Sequence, residues 1–248
     1  MTRKPGVPVH KSSKMRFTLP IDTRVPTSIP INTPGYLLCN RRSVLLALLL
    51  LLLAGPCQGQ DRLPPGSLPV PLFRQATNYS CGAAVLQAVL SYWGVYDGRE
   101  NQLYGPLGTT EAAGTAPTGI VQVARRYGLA ATLQEYVPLT ALRHALAQGE
   151  TVILNLQAWR DLNSTLPWSR NWEDGHYVVL VGMDSRQAYL MDPSTSAAYA
   201  YLPLTELVDR WHDYNNRQGF RREYHHAAIF IHGDRPAIRY PFPLVRLK

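Results

Sequence analysis

Two apolar runs on either side of a short polar turn constrain this chain most: Tyr177-Val178-Val179-Leu180-Val181-Gly182 and Ala188-Tyr189-Leu190-Met191, with the turn at Asp184-Ser185-Arg186. A β-branched run, a turn cluster and a second apolar run together predict an antiparallel hairpin of two buried strands. In such a hairpin the residue just past the second strand lies near the start of the first. His176 stands immediately before the first run and Asp192 immediately after the second, so sixteen positions of chain fold back to bring a carboxylate to an imidazole. That pairing orients a ring that exchanges protons near neutral pH.

A second segment supplies a partner for the imidazole. After Cys81, the large apolar residues Val85, Leu86, Val89, Leu90 and Trp93 recur at helical spacing, with Ser80 or Asn78 as N-cap and Gly94 as the stop. Cys81 therefore falls in the first turn, where unpaired backbone N–H groups and the helix dipole favour a negative charge. A thiol attacks as its thiolate, which such a site beside an imidazole stabilises. Gly82 and Ala83 leave the approach to the sulfur open. The Cys81 N–H and the side-chain amide of Gln75, six residues upstream, can together hold an oxyanion. Nucleophile, base and orienting acid follow in the order Cys81, His176, Asp192.

The segments Gln75 to Gly94, Gly175 to Gly182 and Tyr189-Leu190-Met191-Asp192-Pro193 resemble the bacteriocin-processing peptidase family, known as the cysteine peptidase domains at the N-termini of peptide-exporting ABC transporters. With the chain between them they span roughly residues 70 to 215. The resemblance implies a papain-like fold and peptide-bond hydrolysis, with Cys81 as nucleophile, His176 as base, Asp192 as orienting acid and Gln75 as oxyanion donor. Many members carry an acidic residue before the Cys; this chain has Ser80. No transmembrane spans or phosphate-binding Gly-rich loop follow within the sequence, which points to a stand-alone member and leaves cleavage after a double-glycine leader unassumed.

The fold class that follows is α+β, a papain-like plan with an N-terminal catalytic helix packed on a mainly antiparallel sheet. Further elements are predicted as a helix over 118–128 capped by Thr118, a helix over 139–148 ended by Gly149, a strand over 151–156, a strand over 197–202, a helix over 204–214 and a strand over 227–231. The expected organisation is a leader over 1–60, a Pro-rich lead-in over 61–72, a peptidase domain over 73–232 and a tail over 233–248.

Charge separates the leader from the rest. Of 25 Lys and Arg residues eight lie in residues 1–60, with one of the 17 acids, so residues 61–248 hold 17 bases against 16 acids. The net charge of +8 is thus almost wholly the leader's, and the dispersed remainder argues against nucleic-acid binding. Arg41-Arg42 precedes an apolar run over 44–54, too short at about 1.5 Å per residue for a hydrocarbon core of roughly 30 Å. It reads as a signal-peptide core with cleavage between Ala54 and Asp61, giving an exported, periplasmic or secreted protein whose true start lies at Met15 or later. A twin-arginine signal is the weaker reading of Arg41-Arg42. Lipidation at Cys57 is the weaker alternative there too, because Pro56 replaces the small residue expected before a lipidated Cys. The membrane enters only through that signal or that lipid.

Trp168 and Trp172, in the polar segment before His176, are candidates for contact with an extended substrate. His225, His226 and His232 lack matching Cys or acidic ligands, so no metal and no cofactor is expected. The partner expected is a peptide or protein substrate, and a chain of this size folds as a monomer. Two other readings share these residues. An acyl transferase or cell-wall amidase differs in acceptor or substrate, so amine incorporation against water addition separates it. A non-hydrolytic peptide-binding module has no physical need for a nucleophile and base.

Overall fold

The computed structural model describes residues 63–160, 163–195, 198–217 and 219–238. The leader run over 44–54, Cys57 and most of the expected tail lie outside the described residues. Among the described residues no helix is long and apolar enough to cross a membrane.

Helix α1, Cys81–Tyr92, opens the fold and ends at Trp93, after which Gly94 takes the left-handed conformation (φ 71°) that favours glycine. A 3-10 turn at Glu100–Leu103 and a single helical turn α2, Tyr104–Leu107, lead to α3, Pro117–Arg126. Thr118 is not the cap of α3. The extended residue Ala116 precedes the helix, and Pro117 occupies its first turn, where the missing N–H is no loss. Strand β1, Ala130–Gln134, helix α4, Leu139–Ala147, and strand β2, Thr151–Gln157, follow. The hairpin predicted from sequence is β3, Gly175–Met183, and β4, Gln187–Met191. The chain closes with β5, Ala200–Pro203, helix α5, Leu204–Arg210, strands β6, His212–Arg217, and β7, Phe220–His225, and strand β8, Ala228–His232.

Six strands form one sheet in the order β1-β8-β2-β3-β4-β5, every neighbouring pair antiparallel. Both faces are covered. Val85, Leu86 and Val89 of α1 and Ile120 and Val123 of α3 pack with Ile153, Val179, Val181, Met191 and Ile229. Leu142 and Ala145 of α4, Leu207 of α5 and the buried Trp211 pack with Val152, Leu154, Val178, Leu180 and Leu190. A strand covered on both faces has no need of polar alternation, which is why Tyr177 to Val181 is an unbroken apolar run.

Two elements differ from the sequence-based expectation. The helix expected over 204–214 stops at Arg210, and the polar run His212-Asp-Tyr-Asn-Asn-Arg instead pairs with β7 as a separate two-stranded ribbon. Asn155 and Gln157 of β2 cause this. They donate to the carboxylate of Asp213, at 2.7 and 3.1 Å, and Gln157 also donates to the His212 carbonyl at 3.1 Å. Strand β1 escaped detection because Ala130-Ala-Thr-Leu-Gln carries little apolar signal; it is held by its pairing with β8.

Candidate active site

Cys81 is the first residue of α1 and a free, half-buried thiol. Its N–H, at the helix start, has no intrahelical acceptor. Ser80 occupies the N-cap position, yet its side chain makes no cap hydrogen bond. Its hydroxyl accepts from the Thr77 N–H at 3.0 Å and donates to the Thr77 carbonyl at 3.3 Å, closing the turn that delivers Cys81. Ser80 is fully buried, a place where an unpaired carboxylate would be costly. Gly82 has a packing role. It packs face-on against Thr115, whose side chain a Cβ at this position would overlap.

His176, in the first residues of β3, is 1% exposed. Its Nε2 lies 2.8 Å from Asp192 Oδ1, the neighbourhood predicted from the hairpin. The same carboxylate oxygen accepts the Ser194 N–H at 2.8 Å and the Ser194 hydroxyl at 2.7 Å. Burial works against charging the ring, but the hydrogen bonds to Asp192 and to Cys81 and the charges of both outweigh it, raising its pKa from 6.5 to about 9. Burial opposes charge on Asp192 as well and raises its pKa, yet its bonds to His176 and Ser194 hold it below the usual carboxylate range. Ser194 was not singled out from sequence, although Asp-Pro-Ser is the pattern of a side chain capping its own turn two residues on.

Gln75 is placed beside this pair by the backbone: its N–H donates to the Pro193 carbonyl at 2.9 Å. Its side-chain Nε2 donates to the Thr77 carbonyl at 2.7 Å, while Oε1 is buried without a donor. The next residue is fixed by Glu100, which accepts the Ala76 N–H at 2.9 Å and the Tyr104 hydroxyl at 2.9 Å. Glu100 has no local sequence pattern that would mark it, since its partners are 24 and four positions away.

A cleft of about 380 Å³ opens beside the sulfur, lined by Cys81, Tyr79, Thr115, Trp172, Gly175 and Asp213 among others. Trp172, a candidate for substrate contact, lines this cleft. Trp168 is not among the residues lining this cleft; the guanidinium of Arg210, at the end of α5, lies 3.5 Å from its ring centre and that of Arg160 lies 4.5 Å away. The tryptophan against the imidazole is Trp159, ring centres 4.7 Å apart. The three histidines considered for metal binding each meet a ring instead, His225 with Tyr136, His226 with Trp211 and His232 with Trp93.

The profile of the peptidase C39-like family matches residues 67–218, more than half of the chain and all three segments described above. The chain belongs to the peptidase C39-like family. Solved C39 structures overlap it weakly. The double-glycine motif protease of an AMS/PCAT transporter, solved with its leader peptide, is 23% identical over 68% of this chain and 96% of its own, with a TM-score of 0.45. The peptidase domain of Streptococcus ComA, a bi-functional ABC transporter of a quorum-sensing pathway, is 20% identical over 65% and 97%, with a TM-score of 0.48. The N-terminal peptidase C39-like domain of a toxin secretion ATP-binding protein from Vibrio parahaemolyticus is 16% identical over 61% and 95%, with a TM-score of 0.39. No curated protein matches the chain. Membership in the C39-like family points to cysteine-peptidase chemistry.

Proposed function

We propose that this C39-like protein is an exported cysteine peptidase that hydrolyses peptide bonds of an extended peptide or protein substrate through Cys81, His176 and Asp192. The observation that carries the reading is the buried His176 ring, bonded to Asp192 through Nε2 and drawn towards its charged form by Asp192 and Cys81, with Cys81 at the N-terminus of α1. An imidazolium and a helix N-terminus both stabilise a thiolate there.

The thiolate of Cys81 adds to the substrate carbonyl carbon. Charge passes to the carbonyl oxygen, where the Cys81 N–H donates to it together with the second N–H of the Gln75 amide, the first being spent on Thr77. The tetrahedral species collapses with cleavage of the C–N bond, and His176 protonates the departing amine. A water then attacks the thioester, His176 takes its proton, and the acid product leaves with Cys81 restored as thiolate and His176 as imidazolium. Asp192, clamped by Ser194, fixes the ring throughout.

Purified residues 61–248 should alkylate stoichiometrically at Cys81 with iodoacetamide near pH 6, and His176→Ala should abolish fast labelling. Hydrolysis of a peptide mixture should vanish in Cys81→Ala; cleavage that survives this substitution refutes the nucleophile. The export part of the reading stands on residues 41–60 and is tested by mass spectrometry of the mature N-terminus, expected between Ala54 and Asp61.

A further inference from the structure

Asp213 is a buried acid that the hydrolytic steps leave unused. It is 8% exposed, lines the cleft that also contains the Cys81 sulfur, and accepts from the neutral amides of Asn155 at 2.7 Å and Gln157 at 3.1 Å. Among the described residues it has no Lys or Arg ion-pair partner; the positive group that acts on it is the imidazolium of His176. A carboxylate is seldom buried without a paired cation, and the desolvation it suffers is offset when one arrives. Burial raises its pKa to about 6, which still leaves it ionised at neutral pH.

The walls suit a cation as well. Trp172, Tyr79 and Tyr214 line the same cleft, as do Glu111 and Glu173, and among the described residues no Lys or Arg lines it. Ring faces attract guanidinium and ammonium groups. The rim already demonstrates this, because Arg221, paired with Glu223 at 3.2 Å, lies 4.0 Å from the Tyr214 ring centre and 5.3 Å from that of Trp172. The cleft contains Cys81 but not His176, whose ring carries Trp159. The leaving amine departs towards His176, so the cleft receives the acyl side of the substrate.

We infer that Asp213 determines specificity: it receives the guanidinium or ammonium of an Arg or Lys side chain on the acyl side of the bond that Cys81 attacks. This rests on the peptidase reading for its substrate class, and the test keeps the two apart. Tripeptidyl chloromethyl ketones, which alkylate a cleft thiol whether or not amides are cleaved, are made with Arg, Lys, citrulline or norleucine at each of the three positions in turn. In the wild-type protein, Arg or Lys at one position should label Cys81 at least ten-fold faster than citrulline or norleucine there. In Asp213→Asn, with Asp213→Ser as the second variant should the first fail to fold, that ratio should collapse to within two-fold. Equal rates for charged and neutral reagents at every position overturn the inference, as does a preference undiminished in the folded variant. Amide hydrolysis of the matching peptide is read separately: fast, charge-selective labelling without hydrolysis sinks the peptidase reading and leaves the cationic subsite standing.

Discussion

His176 gains its charge preference from two neighbours, and that preference has a thermodynamic consequence. A group whose folded pKa lies above its unfolded value stabilises the fold fully below the unfolded pKa and ceases to do so as pH rises through the folded one. For His176 the window runs from about 6.5 to about 9. Asp213, at about 6, completes its titration near the lower edge of this window and shifts stability in the same direction there, while Asp192, held low, loses its contribution only in acid. Stability should therefore fall between pH 6.5 and 9 by an amount on the order of 3 kcal/mol at most. Urea midpoints measured at the two pH values would show it, and His176→Gln should flatten the slope; an unchanged slope would mean that the ring is not held charged. The legibility of the site divides at this scale. Cys81, His176 and Asp192 were readable because each adjoins a strong local pattern, a helix start or a hairpin arm. Glu100 and Trp159 act through partners that no local pattern announces, Ser194 follows the local Asp-Pro-Ser turn pattern, and a tryptophan lining a cleft, Trp172, looks the same in sequence as one stacked on arginines, Trp168.

The β6–β7 ribbon is the element that sequence rendered least well. Its residues are polar, and what makes them a strand is the Asn155, Gln157 and Asp213 network at the foot of the sheet. Gln157 is central: its Oε1 accepts the Asp174 N–H at 2.9 Å, so one amide ties the ribbon to the approach of β3, the strand that carries His176. Helix α1 and the β3–β4 hairpin were legible for the opposite reason, since their apolar spacing is decided locally. Gly175 marks the contact between ribbon and β3, because a Cβ there would overlap the Asp213 carboxylate. Gly175→Ala should accordingly displace Asp213, lowering stability by about 1–3 kcal/mol as overpacking does. Adding Asp213→Ala should recover much of that loss. Additive losses in a double-mutant cycle would show that the two positions do not touch.

The helices on opposite faces share the strands between them. Ile153 belongs to the layer under α1 and α3, while its neighbours Val152 and Leu154 belong to the layer under α4 and α5. One layer cannot dissolve without exposing strands that the other needs. Residues 61–248 should thus unfold in one cooperative step, with coincident midpoints by tryptophan fluorescence and far-UV circular dichroism. The probes sit on both sides, Trp93 in one layer and Trp211 in the other, so separated midpoints would show that the layers melt independently. The single antiparallel sheet, its leading helix and the helices α4 and α5 were foreseeable; that α4 and α5 share one layer was not, because which face of the sheet a helix covers depends on chain crossings that no local pattern shows.

Trp159 lies against a ring that changes charge, and half of its own surface meets solvent at 47% exposure. An excited indole loses its energy to an adjacent imidazolium far more readily than to a neutral imidazole. The molecule thus carries an optical proton counter at its candidate site. The emission difference between wild type and Trp159→Phe should brighten as pH passes about 9, and in Asp192→Asn the brightening should move to lower pH. A difference signal insensitive to pH would mean that the indole does not sense the ring. Where it holds, the state of His176 becomes visible in a cuvette, with no substrate present and before any is known.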